Sequence, residues 1–105
     1  MAGKIKISDL KKFDIVDYLD SDEAMSEYLS EMMAEDDPGM FIAALGDVAR
    51  ARGMTDIAAA AGLGRESLYK ALREGSDPKF DTIRRVCEAL GLRLAVVVDD
   101  EHEAA

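Results

Sequence analysis

Between Ala24 and Met33, the apolar residues Ala24, Met25, Tyr28, Leu29, Met32 and Met33 recur in pairs one helical turn apart. Glu23, Glu27, Glu31 and Glu35 fall on a different face of the same projection, so the pattern predicts an amphipathic helix. Asp20-Ser21-Asp22 supplies capping side chains at its start, Glu23 suits the positive helix end, and Asp36-Asp37-Pro38-Gly39 reads as the turn that closes it. A second helix is predicted from about Met40 to Arg52, with Phe41, Ile42, Leu45, Val48 and Ala49 at helical spacing and Gly53 as its stop. Thr55 or Asp56 can cap a short third helix through Ala61. Gly62-Leu63-Gly64 then turns the chain into a fourth helix, Arg65–Glu74, closed by Gly75-Ser76-Asp77-Pro78. The fifth covers about Lys79–Leu90, with Phe80, Ile83, Val86, Cys87 and Leu90 inward and Gly91 at its end.

The flanks read differently. Lys4–Lys12 is a mixed polar lead-in, and Phe13-Asp-Ile-Val-Asp-Tyr-Leu19 fits a strand or an extended docking segment. Leu92-Arg-Leu-Ala-Val-Val-Val98 reads as one strand, and Asp99–Ala105 as a solvated tail. The expected organisation is an acidic N-terminal extension over 1–38 with one helix packed on the same domain, a helical domain over 39–98 ending in a strand, and an acidic tail over 99–105. A lone strand does not persist unpaired. Leu94, Val96 and Val98 must therefore face Phe13–Tyr18 of the same chain, a second copy, or a partner protein.

A chain of 105 residues has room for one domain with a modest core. No apolar run approaches the roughly 20 residues of a membrane span, and the start lacks the apolar centre of a signal peptide. The single cysteine, Cys87, excludes an internal disulfide and fits a reducing, cytoplasmic setting.

The net charge of −9 is unevenly distributed. Residues 1–38 carry a net −7 and residues 99–105 a net −4, whereas residues 39–98 carry nine basic against seven acidic side chains, a net +2. Because screening confines fields to about 10 Å at moderate salt, the local patch governs phosphate attraction more than the total does.

That central segment contains Met54–Arg73, which meets the demands of a helix-turn-helix. Two helices crossing steeply need a small residue at their contact, and Ala58 supplies it. The tight connection favours a residue that tolerates positive φ, and Gly62 supplies that. Ile57, Ala61, Leu63, Leu68 and Ala71 are spaced to anchor both helices on a core. With Leu68, Ala71 and Leu72 inward, Arg65, Glu66, Ser67, Tyr69, Lys70 and Arg73 face outward. A recognition helix sets its early residues against base edges in the major groove. Arg65 is suited to bidentate pairing with guanine, and Glu66 to accepting from cytosine. Ser67, Tyr69 and Lys70 suit bases or phosphate, and Thr55 and Lys79, near helix starts, suit backbone phosphates.

Other chemistry is thin. His102 and Cys87 stand apart from any metal-ligand spacing, and no cofactor motif is present. The acidic helix face lacks the order of a calcium loop. Ser67 has no histidine near it in sequence, so the chain is expected not to be an enzyme.

Four stretches together carry a more specific likeness: Phe13–Leu19, Ala44-Leu-Gly-Asp-Val-Ala-Arg-Ala-Arg-Gly-Met54, Gly64-Arg-Glu-Ser-Leu-Tyr-Lys-Ala-Leu72, and Thr82-Ile83 with Ala89-Leu-Gly-Leu92. Across about Phe13–Val98 the chain resembles the addiction-module antidote family, HigA-like antitoxins with a Cro/repressor-type helix-turn-helix. The resemblance implies a mainly α, five-helix Cro/lambda-repressor-like domain with a short C-terminal β-strand. It also implies neutralisation of a small basic RelE/ParE-superfamily (HigB-like) toxin and repression of the chain's own operon through palindromic operator DNA read by a homodimer. The recognition role carries over to Arg65, Glu66, Ser67, Tyr69 and Lys70. Gly64 departs from the pattern, because a capping serine is common there. The alternatives to weigh are a free-standing prophage-type repressor and a protein-interaction domain without DNA binding.

Overall fold

The computed structural model describes residues 21–100, and within them the chain is mainly helical. The predicted extended segment Phe13–Leu19 and the last five residues of the predicted tail lie outside the described residues. The five helices described are α1 (Asp22–Ala34), α2 (Pro38–Arg52), α3 (Met54–Ala61), α4 (Arg65–Ala71) and α5 (Phe80–Ala89).

Local chemistry sets their limits. Ser21 caps α1, its Oγ accepting from the Ala24 N–H at 3.1 Å. Pro38 and Gly39, expected to lie in a turn, instead form the first turn of α2. The Asp37 carboxylate caps it by accepting from the Gly39 N–H at 2.9 Å. Proline at the first helical position lacks only an N–H that would have no intrahelical partner, so the same residues that end α1 start α2. Helix α3 begins at Met54, so neither Thr55 nor Asp56 is its cap; Gly53, at φ 105°, both closes α2 and opens α3. Gly62 takes the left-handed conformation expected of it, φ 72° and ψ 31°, and the Leu63 N–H returns to the Ala58 carbonyl at 2.9 Å. Helix α4 stops at Ala71 rather than Glu74, where the Ser76 hydroxyl donates to the Ala71 carbonyl at 2.6 Å.

Helix α1 packs on α2, α3 packs on α5, and α3 also meets α2 and α4. Met25, Leu45, Val48, Leu68 and Val86 are fully enclosed at the centre, joined by Ile57, Ala58, Leu72, Ile83 and Cys87. Burial at this density stabilises by about 1.5–3 kcal/mol per large aliphatic side chain. Leu68 and Leu72 therefore fix the orientation of α4, which is too short to hold itself.

Two expectations fail here. Phe80 is not inward: it opens α5 and is 69% exposed. Its side chain lines the rim of an open groove with Met33, Ile42 and Ile83. Residues 92–98 form no strand among the described residues. Leu92 and Leu94 pack partly on the core, while Val96, Val97 and Val98 stand out in solvent. A strand needs a paired neighbour, and none of the described residues offers an edge there.

Candidate nucleic-acid interface

The surface of interest is the outer side of α4. Leu68 and Leu72 face the core, and Ala71 is half-buried. Helical geometry then turns Arg65, Glu66, Ser67, Tyr69 and Lys70 outward, with Arg73 just beyond the helix; all six are exposed. Gly64 is the α4 N-cap in extended conformation and provides no side-chain cap. Thr55, in the first turn of α3, and Lys79, the N-cap of α5, are exposed as well.

Pairing separates these cations from others in the domain. Arg52 is held by Asp22 at 3.0 Å, Arg84 by Asp81 and Glu88 at 3.0 and 2.8 Å, and Arg85 by Asp81 at 3.0 Å. Arg65, Lys70, Arg73 and Lys79 make no ion pair among the described residues. Arg65 instead lies over the Tyr69 ring, its guanidinium carbon 5.4 Å from the ring centroid and one N–H donating to the tyrosine hydroxyl at 3.4 Å. Stacking of this kind orders a long cation without neutralising it.

Sequence reasoning missed three contributors from α2. A β-carbon on Gly46 would sit 2.9 Å from the Leu72 carbonyl oxygen, so only glycine lets α2 approach the end of α4 this closely. Asp47, the next residue, and Arg50, one turn later, lie beside Lys70 and Arg73 around an open hollow of about 390 Å³. Arg50 bonds Asp47 at 2.6 Å. Asp47 also accepts from the buried Tyr28 hydroxyl at 3.5 Å, which links α1 to this edge. Burial first, and then the Asp47 charge and hydrogen bond, push the Tyr28 pKa up to about 12. The legible signal was Arg50, placed four residues after a glycine and off the apolar stripe of α2.

The arrangement is a short helix clamped from below by the core, with Arg65, Lys70 and Arg73, which make no ion pair among the described residues, on an open face. Comparison with known proteins specifies the family. Residues 9–98 match the family described as probable addiction module antidote protein, and the chain belongs to that family. An uncharacterised protein of Haemophilus influenzae is 46% identical over 87 residues, covering 83% of this chain and 90% of the relative. No solved structure matches the chain. Membership supports an antitoxin role and, with it, a toxin partner in general. No helix of the described residues is long and apolar enough to cross a membrane.

Proposed function

We propose that this protein is the antitoxin of a type II toxin–antitoxin module that also represses its own operon. In this reading α3 and α4 are the two arms of a Cro/repressor-type helix-turn-helix. Arg65, Glu66, Ser67, Tyr69 and Lys70 meet the operator's major groove, and Thr55, Arg73 and Lys79 meet phosphates. Arg50 joins them at the edge of the hollow beside Lys70. The protein acts in the cytoplasm, by binding rather than by catalysis.

The observation that carries the DNA half is the contrast in pairing. Arg84 and Arg85 on α5, Arg52 at the α1–α2 junction and Arg50 at the edge of the hollow are matched by acids, whereas Arg65, Lys70 and Arg73, on α4 and just beyond it, make no ion pair among the described residues. Unpaired cations in a compact patch release counterions from a polyanion on binding. The other half, a small basic HigB-like toxin of the RelE/ParE superfamily, is supported by family membership and by the exposed acids Glu23, Glu27, Glu31 and Glu35 along α1. Charge complementarity of this kind steers association and selects partners.

Two measurements test the two halves. Fluorescence anisotropy with the labelled duplex upstream of the gene should give binding that weakens steeply with salt and exceeds that for a scrambled duplex. Co-expression with the product of the adjacent short basic reading frame should give a complex that survives size exclusion. Equal affinity for both duplexes removes the repressor role, and the absence of a complex removes the toxin assignment.

A further inference from the structure

We infer that the groove between α1 and residues 92–97 is the seat of the chain's own segment Phe13–Leu19, which turns back at Asp20 and runs extended and antiparallel to α1 over the core. The groove is open, about 540 Å³, and its lining includes Ser26, Leu29, Ser30, Met33, Phe41 and Leu94. Leu29 and Phe41 are its buried floor, and Met33 is 52% exposed. At Met33, Phe41 and Leu94 it meets a second groove, lined by Phe80 and Ile83, where Phe80 is 69% exposed. Apolar surface that continues through two adjoining grooves marks a place where something docks.

Length and tether point to the occupant. Leu19 is joined to Ser21, the cap of α1, through the single residue Asp20. From Ser21 to Ala34 a helix rises about 20 Å. Seven extended residues cover about the same distance. A segment that doubles back therefore lays Leu19 towards Ser26 and brings Phe13 and Ile15 to Met33, where the two grooves meet. Phe13, Ile15 and Leu19 fall on one face of an extended chain, which suits a seat with an apolar floor on one side.

Charge fixes the direction and separates this occupant from others. Arg93 is the one charged residue lining the groove among the described residues, and it makes no ion pair among them. The segment carries two carboxylates, Asp14 and Asp17, and no cation. Beyond Phe13, the same course sets Lys11 and Lys12 beside the exposed Glu35, Asp36 and Asp37 at the far end of α1, whereas a course away from α1 would not. A small basic partner finds no acid along this groove. A tether of one residue also holds the segment at an effective concentration on the order of millimolar, which favours it over the same segment of a second copy.

The docking involves neither the operator nor the toxin, so it stands or falls apart from both readings. The test uses the full chain with Cys87→Ala, so that introduced thiols are the only ones. Treated with a short bismaleimide, Ile15→Cys/Met33→Cys should close an intrachain link about tenfold faster than Ile15→Cys/Glu31→Cys, because Glu31 lies on the opposite side of α1 while the tether is the same. Phe13→Ser/Ile15→Ser should lower the melting temperature by about 8 °C or more, and Val16→Ser, on the other face of the segment, by less than about 3 °C. Circular dichroism on each variant checks that the fold persists. Equal linking rates at 33 and 31, or a melting temperature indifferent to Phe13→Ser/Ile15→Ser, would overturn the inference. A product of two chains joined through 15 and 33 would overturn it in favour of a second copy's segment. Linking of Met33→Cys to the co-expressed toxin, with none to position 15 in the chain alone, would overturn it in favour of the toxin.

Discussion

Arg65 rests on the ring of Tyr69, one helical turn away on α4, with 5.4 Å between its guanidinium carbon and the ring centroid. The contact holds the first residue of the helix against its own surface while leaving its charge unneutralised. Tyr69 is 40% exposed, so it contributes little to the core. Tyr69→Phe keeps the stacking surface and should bind the upstream duplex within about threefold of the parent chain, whereas Tyr69→Ala should lose about three- to tenfold, the size of an exposed cation–π contact plus the ordering it confers. Both should melt within a few degrees of the parent. Equal binding by all three would assign the ring no part in presenting Arg65.

Gly46 gives a prediction of opposite kind. Alanine is the better helix former by about 0.5–1 kcal/mol, and on propensity alone Gly46→Ala would stabilise α2. The added carbon would meet the Leu72 carbonyl at 2.9 Å, and that atom belongs to backbone that cannot rotate away. Thermal denaturation should therefore show a loss of about 1–3 kcal/mol, as in other overpacked sites. DNA affinity should fall with it, because α4 is what must move. An increase in melting temperature would contradict the close approach.

Tyr28 predicts an alkaline signature. Its folded pKa is raised from 10.0 to about 12, so the folded state holds the phenolic proton after the unfolded chain has released it. This contribution is complete below about pH 10 and is lost as pH rises from there towards 12. Denaturant titrations across that window should show stability falling with pH in the parent chain and a shallower fall in Tyr28→Phe. Parallel slopes would mean that Tyr28 titrates alike in both states.

What could be read from sequence follows a physical division. Gly62 and the anchors Ile57, Ala61 and Leu68 were legible because their constraints are local: a positive φ and a repeat of one helical turn. Pro38 was misread because proline after acidic residues ends one helix and starts the next with equal ease, and the Asp37 cap decides it. Gly46 was invisible, since its reason is a contact with Leu72, 26 positions along the chain. Phe80 sits in register with the buried stripe of α5, but the stripe gives no sign of where the neighbouring elements end. The run at Leu92–Val98 has strand-forming composition without a strand, because pairing needs a partner that composition does not provide.

The proposed reading of DNA by the outer side of α4 is tested most directly by the affinity of Arg65→Ala/Lys70→Ala for the upstream duplex and for a scrambled one. Loss of a bidentate base contact and a phosphate contact should lower specific affinity on the order of 100-fold and flatten the salt dependence, with the melting temperature unchanged because both side chains are exposed. Specific affinity equal to that of the parent chain, in a variant that remains folded, would contradict it.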